Sequence, residues 1–286
     1  MKLKSSVKKI LTLLAKKEPV RVPVLSSAML QRKRVLITGG TSGIGFSIAE
    51  AVLNAGGNVI ITSRSLTRSE QACAKLVEET KCDESRVQAA VLDLSNVASI
   101  SQQFASIRKN LEDPIDVLVN NAGQLNSACF GSVTEEQYDE ILNTNLKGTY
   151  FLTQTVATYM RDNSIHGNIL FVTSSSAYRP AMNPYHLSKW ALRGLVEGLA
   201  KCLAPYDIVV NGVAPGPTAT PMLVGKDNHS LTNLNSPIGR MSAPEEIGAI
   251  AVMLISDSCR SVIGETVRAT GGSALITFDD VDYMMA

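Results

Sequence analysis

From residue 34 onward the chain repeats one alternation: a short run rich in Val and Ile, then a longer stretch with apolar residues at helical spacing. The runs VLIT (35–38), NVIITS (58–63), VQAAVL (87–92), IDVLVN (115–120), NILFVT (168–173), IVVNGVA (208–214) and GETVRA (264–269) predict seven strands. Helices are predicted over 43–55, 66–79, 96–109, 134–160, 184–203 and 243–256. A strand that is apolar on nearly every residue must be covered on both faces, and the intervening helices supply the cover. The pattern therefore predicts an α/β fold, a doubly wound parallel sheet. No linker, repeat or low-complexity run interrupts residues 34–286, so they read as a single domain. Ligands of such sheets bind at the carboxyl ends of the strands, and the unusual residues gather there.

At 286 residues, 45% hydrophobic and 19% charged, the chain can bury a sizeable core. Its formal charge of +1 conceals an asymmetry. Residues 1–34 carry ten Lys and Arg against Glu18 alone, which leaves the remainder mildly acidic and argues against a nucleic-acid surface on the folded body. Within the N-terminal extension (1–33), Leu3, Val7, Ile10, Leu11 and Leu14 share one helical stripe among lysines. Three readings fit: a mitochondrial transit peptide, a helix on an anionic membrane surface, or a solvated extension. Localisation is accordingly expected to be the mitochondrial matrix or the cytoplasm. The sequence motifs begin at Thr38, so loss of residues 1–30 is expected to leave activity intact. No apolar run reaches transmembrane length. The five cysteines, at 73, 82, 129, 202 and 259, form no Cys-x-x-Cys pair and no cluster with the three histidines, favouring a reducing compartment and no structural zinc.

After the first strand comes TGGTSGIG (38–45), with Gly39, Gly43 and Gly45 ahead of the helix FSIAEAVLNAGG. Glycines permit a tight turn and close backbone approach, and the helix N-terminus offers free N–H groups to a pyrophosphate. Between a strand and a helix, this loop points to a dinucleotide and a Rossmann-like sheet. An acidic residue ending the second strand would grip the ribose hydroxyl of NAD; here Ser63 is followed by Arg64, with Arg68 nearby. A guanidinium suits a 2′-phosphate, so NADP(H) is preferred, with NAD(H) possible and a solvated surface arginine the plainer reading. Asp93, closing the third strand, either accepts from the adenine amino group or caps the helix starting near Asn96. In NNAG (120–123), Asn120 and Asn121 are placed to bond neighbouring strand ends, and Gly123 lets the backbone pass close to the adenosine half.

The stretch FVTSSSAYRPAMNPYHLSK (171–189) puts Tyr185 and Lys189 four residues apart, on one helical face. Asn183 reads as an N-cap and Pro184 as the first helical residue, which places Tyr185 at the positive end of the helix.

These motifs together resemble the short-chain dehydrogenase/reductase (SDR) family over essentially residues 34–275. TGGTSGIG is similar to its TGxxxGxG loop, with Thr41, Ser42 and Ile44 beside the glycines. NNAG corresponds to its strand-four motif, here Asn121, Ala122 and Gly123, and NTNLKG (143–148) to its Asn-containing helix motif. YHLSK is its Tyr-x-x-x-Lys and VAPGPTATPM (213–222) its loop after strand six. IGRMSAPEEI (238–247) and GETVRATGG (264–272) match its C-terminal pattern. The resemblance implies Tyr185 as general acid/base and Lys189 as the group that lowers its pKa and binds the nicotinamide ribose. It implies Asn145 as holder of a relay water and a serine ending strand five as the group that polarises the substrate oxygen. Counting back from the tyrosine lands on Val172 or Thr173, while aligning the strand selects Ser174, with Ser175 and Ser176 as alternatives. By the same resemblance Pro215 and Gly216 set a turn, Thr218 and Thr220 bond the nicotinamide carboxamide, and Asp93 and Leu94 flank the adenine. Tyr178 is expected to line the substrate pocket, and 221–238 to form a mobile segment over it. Thr270 stands where the family often has an acid, and Arg268 interrupts the last strand.

The expected activity is an NADP(H)-preferring oxidoreductase that interconverts a small-molecule carbonyl and an alcohol by hydride transfer, of the 3-oxoacyl or general carbonyl reductase type. The rivals are an NAD-linked hydroxysteroid or alcohol dehydrogenase and, from another class, a non-catalytic cofactor-binding sensor or scaffold. The family implies a homodimer or homotetramer with contacts through 134–160 and 184–203.

Overall fold

The computed structural model describes residues 26–109, 111–125, 130–224, 231–233 and 236–273. The basic stretch through residue 25, and part of the segment expected over the substrate, lie outside the described residues. Seven strands form: β1 (Arg34–Thr38), β2 (Asn58–Ser63), β3 (Val87–Val91), β4 (Val117–Asn120), β5 (Asn168–Val172), β6 (Val209–Pro215) and β7 (Thr266–Ala269). They make one parallel sheet in the order β3-β2-β1-β4-β5-β6-β7. The chain runs outward from β1 to β3, then crosses back to begin β4 on β1's other side. That reversal opens a crevice between the carboxyl ends of β1 and β4.

Between and after the strands come α1 (Gly43–Asn54), α2 (Leu66–Thr80), α3 (Val97–Arg108), α4 (Glu135–Leu142), α5 (Thr149–Asp162), α6 (Pro184–Leu203), the single turn α7 (Pro221–Val224) and α8 (Pro244–Ile255). Successive strand residues point to opposite faces. Val35, Ile37, Val59, Ile61, Val117 and Val119 pack into one layer with α1, α2 and α8. Leu36, Ile60, Leu118, Ile169 and Phe171 pack into the other with α3, α5 and α6. Both faces are dry, which is why the strands read as unbroken apolar runs.

Two expectations about boundaries change. The helix expected over 134–160 is interrupted: α4, started by a Thr134–Gln137 capping box, passes into a π-helical segment, Asn143–Gly148, before α5 resumes. A π-turn accommodates an extra residue and is common at functional sites; here it leaves Asn145 fully buried. Residues 26–33, assigned to the extension, lie against the domain. Leu30 is fully buried in the α1 layer, its N–H donates to the Ala55 carbonyl at 2.9 Å, and Asn58 N–H donates to the Lys33 carbonyl at 2.8 Å.

At the amino ends of the strands the charges are paired. Arg260 donates to an Asp207 carboxylate oxygen at 2.6 Å and to the Asp207 carbonyl at 2.8 Å, and His166 bonds the same carboxylate. Lys33 meets Asp257 at 3.4 Å, and Asp116 accepts from the Arg34 N–H at 2.8 Å.

Candidate active site

β1 ends at Thr38 and turns through the glycine loop into α1. Gly43 sits at φ +55°, a left-handed conformation that disfavours side chains, and a Cβ on Gly45 would run into the Asn121 amide and the Gly39 carbonyl. Ser42, the N-cap of α1, makes no side-chain bond to the first turn, which also carries no acidic residue. The N–H groups and positive dipole end of α1 are thus left for an anionic ligand. Asn121 ties the crevice shut from below: its N–H donates to Thr38 Oγ1 at 3.0 Å, and its Nδ2 to the Thr38 and Gly39 carbonyls at 2.9 and 3.0 Å. Asn120 differs from expectation. Its Nδ2 donates to Thr153 Oγ1 on α5 at 2.9 Å rather than to a neighbouring strand.

A cleft of about 470 Å³ runs from this loop along the carboxyl ends of the strands. Of the residues singled out in the sequence, Gly39, Thr41, Ser42, Gly43, Ile44, Gly45, Arg64, Asp93, Leu94, Asn121, Ala122, Gly123, Tyr185, Lys189 and Thr220 line it. Arg64 and Arg68 are exposed at its β2 side, and neither is paired with a carboxylate among the described residues. Asp93 is not the cap of α3, which is Asn96. One Asp93 carboxylate oxygen accepts instead from Ser95 N–H and Oγ at 3.0 and 2.7 Å. Pro215, Gly216 and Thr218 stand behind the wall: Thr218 is buried with its hydroxyl on the Gly216 carbonyl at 3.0 Å, and Gly216 N–H donates to Ala269 at 2.9 Å.

At the other end of the cleft β5 stops at Val172. The Thr173 N–H and hydroxyl both donate to the Val213 carbonyl, at 2.8 and 3.0 Å, so Thr173 continues the sheet. Ser174 begins a 3₁₀ turn over Ser175–Tyr178, and its Oγ accepts from Ser176 N–H at 3.1 Å. Ser174 lies close enough to the Tyr185 phenol to favour its ionised form. Among the three serines, this turn buries Ser175 and turns the Ser176 N–H back onto Ser174. The same turn carries Tyr178 away from the cleft, contrary to expectation: its hydroxyl donates to the Thr266 carbonyl on β7 at 3.0 Å, and its ring lies 4.4 Å from the Arg193 guanidinium and 5.1 Å from that of Arg268.

α6 starts as its sequence predicts, with Asn183 accepting from His186 N–H at 2.8 Å and Pro184 in the first turn. One turn on from Tyr185, Lys189 is 5% exposed, and its Nζ donates to the Val172 carbonyl at 3.0 Å. Burial pushes the Lys189 ammonium down to about 8. Burial also holds the Tyr185 phenol above its ordinary value, opposed by the neighbouring Ser174. Lys189 does not dominate that balance; its Nζ is 5.6 Å from the Tyr185 ring centroid and is engaged by a carbonyl. The Asn145 side chain is fully enclosed, its Oδ1 accepting from Gln124 N–H at 2.7 Å and its Nδ2 donating to the Gln124 carbonyl at 2.9 Å. Gln124, Thr144 and Met222 line the cleft unforeseen. Gln124 follows NNAG, Thr144 lies within NTNLKG and Met222 closes VAPGPTATPM, so each was marked by its motif but not singled out as a lining residue.

A glycine-turned helix end at the switch point and a half-buried tyrosine beyond β5 both line one cleft, which suits a ligand with phosphates at one end and a reacting centre at the other. The class so defined is a dinucleotide-dependent oxidoreductase of Rossmann type. Comparison with known proteins makes the class particular: residues 33–230 match the short chain dehydrogenase family model, and this chain belongs to that family. It is 34% identical over 249 residues to the 3-oxoacyl-acyl-carrier-protein reductase of Aquifex aeolicus, covering 85% of this chain and 98% of that protein. Among solved structures, the 3-ketoacyl-acyl-carrier-protein reductase of Brucella melitensis, complexed with NADH, superposes with a TM-score of 0.76 at 26% identity, covering 86% of this chain and 99% of the other. The L-sorbose reductase of Gluconobacter frateurii, complexed with NADPH and L-sorbose, gives 0.78 at 25% identity, covering 88% and 100%. The protein is thus an oxidoreductase of hydroxyl and carbonyl groups that takes a nicotinamide cofactor. Among the described residues no helix is long and apolar enough to cross a membrane.

Proposed function

We propose that the protein is an NADP(H)-preferring carbonyl reductase, of the 3-oxoacyl or general carbonyl type, with Tyr185 as its proton donor. The observation that carries this reading is Tyr185 in the cleft wall, with Ser174 beside it and buried Lys189 one helical turn behind it. The uncapped N-terminus of α1 and the close packing at Gly45 suit a pyrophosphate, and Arg64 and Arg68, without carboxylate partners, suit a 2′-phosphate. A bound reduced nicotinamide supplies hydride to the carbonyl carbon.

The chain's own residues do the rest. Ser174 Oγ and the Tyr185 hydroxyl converge on the position of the substrate oxygen. As charge develops there, Tyr185 gives up its proton and Ser174 stabilises the oxygen by hydrogen bonding. The Tyr185 phenol, held up by burial, carries its proton at neutral pH as a donor must; the raised pKa makes it a weaker acid, and the supply of reduced cofactor, not the phenol, sets the direction. Lys189 stands beside this centre to orient the cofactor ribose and to offset the phenolate left behind, and Asn145 braces the floor of the cleft through Gln124.

The test is a panel of ketones, aldehydes and 3-oxoacyl thioesters assayed with NADPH and NADH in parallel. NADPH should be preferred, and Arg64→Ala should raise the Michaelis constant for NADPH by about tenfold while leaving that for NADH nearly unchanged. An unaltered NADPH constant would remove the cofactor preference and favour an NAD-linked dehydrogenase. Binding without turnover across the panel would favour a sensor. The reading extends to a homodimer or homotetramer docking through α5 and α6, whose exposed Tyr150, Phe151, Leu187 and Trp190 suit a protein contact; sedimentation checks it. The basic N-terminal segment is read as a matrix-targeting sequence, which cell fractionation with and without it decides.

A further inference from the structure

On the buried side of α6, between Tyr185 and Lys189, lies Ser188, with no exposed surface. Its Oγ donates to the Tyr185 carbonyl at 2.7 Å and accepts from Asn145 Nδ2 at 3.3 Å. With its proton committed to Tyr185, the hydroxyl can serve Asn145 only as an acceptor. The Asn145 carboxamide is then engaged on every side: Ser188 takes one N–H, while the Gln124 carbonyl and N–H take the other N–H and the oxygen. Gln124 follows Gly123, where an added Cβ would be in ordinary van der Waals contact with Asn145 Oδ1 at 3.4 Å and Lys189 Nζ at 3.8 Å. Three elements meet at this one amide: α6, the π-helical segment and the exit of β4.

We propose that Ser188 is a positioning residue: through Asn145 it ties the helix carrying Tyr185 and Lys189 to the Gly123 and Gln124 backbone that floors the cleft. This rests on the reading of Tyr185 and Lys189 as the reacting pair. Without the hydroxyl, Asn145 keeps a buried N–H with no acceptor. It relieves that only by rotating, and rotation loosens both bonds to Gln124. A displaced floor beside Lys189 then misplaces cofactor against Tyr185, a small error with a large kinetic effect.

The experiment reads amide hydrogen exchange in the full chain without cofactor. In Ser188→Ala the Gln124 amide should exchange about 5- to 10-fold faster, while Val117, Leu118 and Val119 of β4 keep wild-type protection. Ser188→Thr, which retains a hydroxyl, should restore Gln124. In turnover, Ser188→Ala should lower kcat about 10- to 100-fold with NADPH affinity nearly unchanged, and should lower it no further in an Asn145→Ala background. Wild-type protection of Gln124 in Ser188→Ala, or an equal loss of kcat in the Asn145→Ala background, overturns the proposal. If the wild-type protein reduced no carbonyl, the functional reading would fall, and Gln124 exchange would still decide the role of Ser188.

Discussion

The two ends of one sheet treat charge in opposite ways. At the amino end, Arg260, Asp207, His166, Lys33 and Asp257 satisfy one another. At the carboxyl end, Lys189 is buried against a carbonyl oxygen, Arg64 and Arg68 face the cleft with no carboxylate partner among the described residues, and the N-terminus of α1 has neither a capping side chain nor an acid. The first end is complete within the chain. The second is complete only around an anionic ligand, and unbalanced electrostatics of that kind mark a working site.

The sharpest way to break this comparison is Tyr185→Phe. Under the proposed function, loss of its hydroxyl should lower kcat by about 10²- to 10⁴-fold with cofactor binding retained, as read by steady-state rates and NADPH titration. Leu30→Ala tests a different contrast, between the site and its support. It should destabilise the fold by about 2–5 kcal/mol in denaturant titrations without touching the cleft. Deletion of residues 1–30, expected from motif positions alone to be silent, removes the same buried side chain and should fail similarly.

Lys189 gives a pH signature. Its pKa is about 8 in the folded protein, below the ordinary lysine value of about 10.4 in the unfolded chain. Between those values the unfolded state binds more protons, so stability rises with pH, and the burial penalty is fully present below pH 8. Melting temperatures of wild type and Lys189→Met, compared across that window, should show the rise in wild type and a smaller one in the variant. The smallest effect belongs to the amino end. Arg260→Ala should leave kinetics unchanged and lower the melting temperature slightly, because its partner Asp207 is exposed to solvent. A kinetic effect as large as that of Arg64→Ala would erase the contrast between the two ends.

Much of this was legible because strands and helices are written in periodicity. Seven apolar runs became seven strands, and Asn183 with Pro184 opened α6 where expected. Tyr185 and Lys189 share the cleft because four-residue spacing on a helix is a local property. The misreadings share another cause. The break at Asn143–Gly148, the turning of Tyr178 toward Thr266 and the docking of Leu30 on the α1 layer each depend on a surface supplied by a distant segment. The hydroxyl of Ser188 belongs with them. Within YHLSK it donates only to the Tyr185 carbonyl, and its tertiary partner is an asparagine 43 positions away.

The sequence by itself determined the parallel, doubly wound sheet, the glycine-rich turn and the spacing of Tyr185 and Lys189, since backbone propensity, burial period and helix geometry are short-range. Tertiary structure alone decided that Ser174 comes to lie beside Tyr185, that burial raises the phenol's pKa, and that the charges of one end are matched while those of the other await a ligand. Desolvation and hydrogen-bond partnership depend on everything packed around a group, and that surrounding is assembled only when the segments meet.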